Sequence, residues 1–419
     1  MRRCLALVLC LVALPLAAAE RAVPAGGGAL AAALVAAAPG DVLILAPGRH
    51  AGPVVLNRAV TLDGQGRAEI AGDGRGSVVT ITAPDVTVRG LRIRGSGDSH
   101  ETIDSGVQLT EGATRARVEG NVLTGNLYGV DVHGARDALV AGNQIVGRQD
   151  ANMNARGNGI YVWNADGARI TGNDIVRGRD GIFANASRNN LFANNTMRDL
   201  RYAVHYMYTN DSEVSGNLSV GNHLGFALMY SRNIVVRGNR SVDDRDHGVM
   251  LNYTNSSVIE GNSVVGAGKC TFIYNAHKNR IADNRFEGCE IGIHFTAGSE
   301  RNAITGNAFL GNREQVKYVG TRMVEWSDAG RGNFWSDHAA FDLDGDGIAD
   351  NAFRPHDLMD HILWTQPAAH LLLGSPAVHL LRWSQAAFPA LLPGGVVDSA
   401  PLMAPPPPFV AAATGTPEG

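Results

Sequence analysis

The sequence predicts an all-β chain wound as a right-handed parallel β-helix. Two observations carry this: an asparagine that returns at a nearly constant interval, and a short alternating strand that follows it in each interval. The asparagines are Asn121, Asn143, Asn173, Asn195, Asn217, Asn239, Asn262, Asn284 and Asn307, at spacings of 22, 30, 22, 22, 22, 23, 22 and 23 residues. Self-similarity at a fixed period is the mark of a solenoid, in which each repeat buries its apolar face only against its neighbours. Apolar residues flank each asparagine, as in Ile170-Thr-Gly-Asn-Asp-Ile175 and Ile304-Thr-Gly-Asn-Ala-Phe309. The second strand begins eight or nine residues later with a small residue and then alternates, as in Gly129-Val-Asp-Val-His133, Ala203-Val-His-Tyr206, Gly225-Phe-Ala-Leu228 and Thr271-Phe-Ile-Tyr274. Alternation means that one face is buried.

A leucine-rich repeat has a similar period, but its leucine consensus and helical segment are absent. With stacked strands about 4.8 Å apart, ten to twelve coils make a rod roughly 50 Å long. The recurring asparagine suits an internal corner, where each amide bonds the amides above and below it. The nine are therefore read as a structural ladder.

The ends follow from the cost of unpaired strand edges. Gly28 to Ala38, rich in Ala and Leu, reads as a helical cap before the turn Pro39-Gly40-Asp41, and strands begin at Val42–Leu45. The repeat fades after Phe309, and the composition changes from Trp326. The expected organisation is a signal peptide over 1–19, a capped β-helix over 20–325, a capping or docking region over 326–403 and a disordered tail over 404–419.

Arg2 and Arg3, the apolar run Leu5 to Leu16 and the small residues Ala17, Ala18 and Ala19 form a secretion signal, with the mature chain expected to start at Glu20. Cys10 lies inside the apolar run, which argues against a lipoprotein, and no later stretch reads as a membrane helix. The expected location is the periplasm. A net charge of −4 gives no sign of nucleic-acid binding. Cys270 and Cys289 remain after signal removal, and the sequence leaves open whether they form a disulfide or stay as two thiols.

Two insertions of about eight residues, roughly Asp98 to Asp104 and Arg148 to Arg156, leave the rod at the same corner and carry His100, Glu101, Asp104 and Met153. Loops on one side of a rigid scaffold are frequent sites of function, although surface decoration explains them equally well.

Alternate side chains of the second strands are expected to face solvent. One column reads Asp131, Tyr161, Phe183, His205, Ala227, Met250, Ile273 and His294. The next reads His133, Trp163, Asn185, Met207, Met229, Asn252, Asn275 and Thr296. A solvated face is normally charged; this one is aromatic and rich in Met and His, which marks a contact surface. Tyr161, Trp163, Phe183, Met207 and Met229 are the expected partner contacts. His205, Met207, Met229 and Met250 offer imidazole and thioether donors, a set suited to Cu(I). Packing of the methionines against a partner is the plainer alternative. In the C-terminal region, Asp342, Asp344, Asp346 and Asp350 with Gly347 have the spacing of the first half of a calcium loop, but Phe353 stands where an EF-hand has glutamate. The loop reads either as a calcium site or as a tight Asp/Gly turn.

Arg201-Tyr-Ala-Val-His-Tyr-Met-Tyr-Thr-Asn-Asp211, Cys270-Thr-Phe-Ile-Tyr-Asn275, Gly292-Ile-His-Phe-Thr-Ala-Gly-Ser-Glu-Arg-Asn302, Gln315-Val-Lys-Tyr-Val-Gly320, Gly332-Asn-Phe-Trp-Ser-Asp337 and Val396-Val-Asp-Ser-Ala-Pro401 go beyond a generic β-helix. With them the mature chain resembles the NosD family of nitrous oxide reductase maturation proteins over nearly its whole length. The resemblance implies a periplasmic subunit without catalytic activity that rests on the membrane subunit of an ABC transporter. It further implies copper received from a chaperone lipoprotein, immature nitrous oxide reductase as client, and contact with the membrane only through the transporter. It supplies no ligand set; the Met/His assignment comes from spacing. The alternative from another class is a polysaccharide lyase, epimerase or hydrolase of β-helix type. Such enzymes need a base beside charge-neutralising groups or a pair of carboxylates, and the two columns as read offer one carboxylate and no Lys or Arg. The pair Asp131 and His133 is the one arrangement in them of that kind.

Overall fold

The structure is a computed structural model that describes residues 18–407, apart from 297, 321, 357 and 388–393. Most of the expected signal segment and most of the expected tail lie outside the described residues. The chain winds as a right-handed parallel β-helix of two main sheets, one of 24 strands and one of 12. A typical coil contributes two three-residue strands to the larger sheet, such as Glu213–Ser215 and Leu218–Val220, and one six-residue strand to the smaller, such as Leu224–Met229. Between the two short strands, Gly216 adopts φ +62° and Asn217 turns inward. A left-handed backbone costs glycine nothing, which explains the Gly-Asn pairs of the repeat.

Pairing is parallel and in register from coil to coil, so Val214, Val236, Ile259, Ile281 and Ile304 stack in one interior column. One continuous apolar core fills the rod from Val23 to Val396.

The asparagines form the inner corner. Nδ2 of each donates to Oδ1 of the next, from Asn121 through Asn307, at 2.9 to 3.0 Å. The chain of amides runs one step further than the repeat indicates, to Asn333. It ends on Asp398, which is buried and accepts from the Asn333 backbone N–H at 2.7 Å and from Trp335 Nε1 at 2.8 Å. Burial raises the Asp398 pKa above the usual carboxylate range, opposed by these donors.

At the N-terminal end the helix spans Ala29–Ala36, with Leu30 buried against the first coil. The winding starts earlier than expected: Glu20–Val23 is a strand paired in parallel with Val42–Leu45. At the other end Phe334–Trp335 pairs with Ala308 and Phe309, and the Trp335 ring lies 4.2 Å from that of Phe309 at 7°. Beyond it come a helix over Leu358–Thr365, a 3-10 turn over Pro367–Leu372 and a second helix over Pro376–Ala387. Cys270 and Cys289 form a disulfide, which resolves the alternative that the sequence leaves open.

Candidate functional site

The smaller sheet displays the outward columns, and the observed register corrects them at one coil. Met250 pairs with Phe272, and Asn252 with Tyr274. Ile273 therefore belongs to the buried interior, and Asn275 lies just beyond the strand. The slip arises because Cys270, not Thr271, takes the place of Gly248, and a shift of one residue exchanges the faces of a strand. The first column also continues to Lys317, which pairs with His294.

The expected solvent exposure is also corrected. Asp131, His205, Ala227 and Met250 are buried, while Met207 and Met229 are half-buried. The cover is local. His205 lies under the Tyr202 ring, edge-on at 4.9 Å, and stacks on Phe183 at 4.5 Å. Met250 packs with Leu224 and Ala227, and Met229 rests against that cluster. Met207 and Met229 are direct rung neighbours, whereas Met250 stands one column aside, paired with Ala227.

His205 is held by residues that the strand patterns leave unassigned. Its Nδ1 lies 3.1 Å from Oδ2 of Asp180, itself buried and gripped by Arg201 at 2.8 and 2.7 Å. Burial pushes the Asp180 carboxyl up, but hydrogen bonds from His205 and Arg201 outweigh it and hold the group below its usual range. An ionised carboxylate only accepts, so Nδ1 carries the hydrogen. In the neutral ring Nε2 then presents a lone pair, and this atom is buried without a hydrogen-bond partner. A carboxylate behind an imidazole is the usual support of a metal-ligating histidine.

The expected partner contacts form a ring stack along the first column. Tyr161 lies 5.4 Å from Phe183, and Trp163 stands 4.3 Å from His133 in the column beside them. The two insertions meet at the edge of this stack. His100 contacts the Tyr128 hydroxyl at 3.0 Å and the Ala155 carbonyl at 3.2 Å, and Arg148 pairs with Asp98. A second feature, unread in the sequence, is a ladder of part-exposed tyrosines just past the methionines: Tyr208, Tyr230 and Tyr253, with ring spacings of 5.2 and 5.0 Å. All three have φ near +50°, a conformation that costs a side-chain-bearing residue about 1–2 kcal/mol. The spacing of 22 and 23 residues, one position after Met207, Met229 and Asn252, is the signal that reveals them.

Asp131 contrasts with Asp180, because no Arg or Lys pairs with it among the described residues. Burial pushes its pKa up to about 7, against a hydrogen bond from Gln108. The folded protein then keeps a proton that the unfolded chain releases from about pH 4, so this group lowers stability progressively as pH rises from about 4 to 7. In chelator-treated protein, Asp131→Asn should remove that slope and gain on the order of a few kcal/mol at about pH 8, with no gain at about pH 4. Parallel melting curves for the two proteins at both pH values would count against it.

In the C-terminal region Asp342, Asp344 and Asp346 bring carboxylate oxygens within 4.8 Å of one another. Asp350 is not part of that group; its Oδ2 accepts from the Leu343 backbone at 2.7 Å. Asp342 accepts from Gly345 and Gly347, and Asp346 from Ile348. These bonds order the backbone as an Asp/Gly turn and gather three of the four carboxylates that the calcium reading names.

A parallel β-helix with paired methionines and a braced imidazole on one flat sheet is a solenoid that displays side chains on its outer face. The profile of the family described as "Periplasmic copper-binding protein (NosD)" matches residues 141–340. The chain is 42% identical over 373 residues to the "Probable ABC transporter binding protein NosD" of Pseudomonas aeruginosa, covering 86% of this chain and 87% of that one. It is 41% identical to the protein of the same name from Stutzerimonas stutzeri, covering 86% of each. The chain belongs to the NosD family. Among solved structures, a PL6 alginate lyase in complex with a trisaccharide aligns with a TM-score of 0.54 at 14% identity, covering 76% of this chain and 83% of that one. A mannuronic acid specific family 6 lyase from human gut microbiota aligns with a TM-score of 0.52 at 12% identity, covering 72% and 83%. These two likenesses concern the fold alone. No helix among the described residues is long and apolar enough to cross a membrane.

Proposed function

We propose that this protein is a periplasmic, non-catalytic accessory factor for copper-site assembly in nitrous oxide reductase, and that it takes Cu(I) as cargo at His205, Met207 and Met229. The observation that carries this reading is the buried, unpartnered Nε2 of His205, with Nδ1 fixed on Asp180, beside two methionines on adjacent rungs. One imidazole and two thioethers are soft donors of the kind Cu(I) selects. Met250, buried among Leu224 and Ala227, supports the Met229 side chain. A chaperone lipoprotein supplies the ion, and immature reductase receives it.

Anaerobic titration of Cu(I) against a competing chelator tests the assignment. Met207→Leu together with Met229→Leu should weaken binding by roughly tenfold or more, a loss of about 1.4 kcal/mol, while leaving the fold intact. Unchanged affinity would remove the ligand assignment, and turnover of alginate or pectin would favour an enzyme.

The relatives' name supports association with an ABC transporter. The C-terminal helical segment is the surface we assign to it, since Leu371 and Trp383 are 91% and 66% exposed. Large apolar side chains held out of contact mark a docking site. Trp383→Asp with Leu380→Asp should abolish co-purification with the transporter's membrane subunit and spare Cu(I) affinity; retained co-purification places the contact elsewhere.

A further inference from the structure

Asp131 and His133 lie two residues apart on the outward side of the strand Tyr128–His133, away from the copper strip. Asp131 is fully buried. Its Oδ2 accepts from Gln108 Nε2 at 3.2 Å, and its Oδ1 has no partner. His133 Nδ1 is likewise shielded and without a hydrogen bond, 3.8 Å from Asp131 Oδ2. Each buried polar atom left unpaired costs about 1–3 kcal/mol, so two side chains that each keep one such atom, and approach one another through Oδ2, call for a third party.

Asp180 shows how the same sheet neutralises a buried carboxylate when the partner comes from within, through Arg201 and His205. Among the described residues no such cation reaches Asp131. The walls are aromatic: Tyr161 is the next rung over Asp131, and the Trp163 ring lies 4.3 Å from that of His133. A bound cation would therefore sit where little water screens its charge.

We propose that Asp131 and His133 form a second metal site, for a borderline divalent ion such as Cu2+ or Zn2+. One carboxylate oxygen and one imidazole nitrogen match that class, whereas Cu(I) selects thioethers and Ca2+ or Mg2+ selects oxygen alone. Bonds of about 2.0–2.2 Å span the gap with an angle wider than tetrahedral, and the half-exposed His133 ring is free to tighten it. Two protein ligands leave the other positions to water. The register runs from Asp131 through Tyr161 and Phe183 to His205, which separates this site from the Cu(I) strip by three rungs, or about 14 Å. The proposal stands on its own geometry and does not depend on the Cu(I) assignment.

The test is aerobic titration of chelator-stripped, full-length mature protein with CuCl2 alone, read by electron paramagnetic resonance and tryptophan fluorescence. The wild type should bind one Cu2+ with nitrogen coupling and lose part of its emission. Asp131→Asn and His133→Gln should each weaken binding by roughly tenfold or more. Trp163→Phe should bind as the wild type does but lose most of the quench, and Met207→Leu with Met229→Leu should leave Cu2+ binding unchanged. Wild-type affinity in both Asp131→Asn and His133→Gln overturns the site. If those variants fail to fold, a quench that persists in full in Trp163→Phe overturns it instead. Loss of Cu(I) binding in the methionine variant with Cu2+ binding retained would separate the two sites experimentally.

Discussion

Asn217→Leu should destabilise the protein by about 3–6 kcal/mol, since each buried polar group left unpaired costs about 1–3 kcal/mol. Oδ1 of Asn217 accepts from the backbone N–H and the side-chain amide of Asn195, both at 2.9 Å, while its Nδ2 donates to Phe192 O and Asn239 Oδ1 at 2.8 and 2.9 Å. Leucine matches the volume but offers no polar atom, so groups on the coils to either side lose partners at once. Because coils interact mainly with their neighbours, the damage should also split the unfolding transition near the middle of the rod. Urea unfolding followed by circular dichroism measures both effects. A midpoint within experimental error of wild type would mean that the amide ladder contributes nothing net, and the account of the corner would fall with it.

Asp180→Ala should cost about 3–5 kcal/mol, the range for breaking a buried ion pair by removing one member. The Arg201 guanidinium, with only 22% of its side chain exposed, loses its bidentate acceptor, and His205 loses the acceptor of Nδ1. The pH dependence has a definite sign. The folded-state pKa of Asp180 is depressed, so its contribution is present above the unfolded value of 3.8 and is lost as pH falls through the folded value. Wild type and variant should therefore converge in strong acid and separate fully by neutral pH. Cu(I) affinity should fall as well, because an imidazole free to rotate is a poorer ligand than one already fixed. A variant as stable as wild type at neutral pH would show that Arg201 finds another partner, and the brace behind His205 would have to be abandoned.

Two features of the site lie outside what the strand pattern shows, each for its own reason. Alternation directs Ile273 outward when Thr271 is set opposite Gly248, and nothing local distinguishes that alignment from the correct one with Cys270. Hydrophobic residues occupy both faces of these strands, so alternation gives little warning of a slip. The pairing of Asp180 with Arg201 is hidden in the sequence for a different reason. Each is unremarkable among the acidic and basic residues of its coil, and only the stacking of two strand starts makes a buried pair of them. The tyrosine ladder was legible from its 22- and 23-residue spacing, but its left-handed backbone was not.

The sequence by itself determined the winding. A regular Gly-Asn period and short apolar alternation permit one way of burying the core, so residues one period apart become neighbours whatever else happens. That is enough to pair Met207 with Met229 and to stack nine asparagines. Only the tertiary structure decided which outward side chains are wet. Rings from the same and adjacent rungs cover His205 and Asp131 on a face that strand geometry alone directs toward solvent. Burial depends on what lies across a coil, where residues distant in the chain meet, and that determines which polar atoms end without a partner.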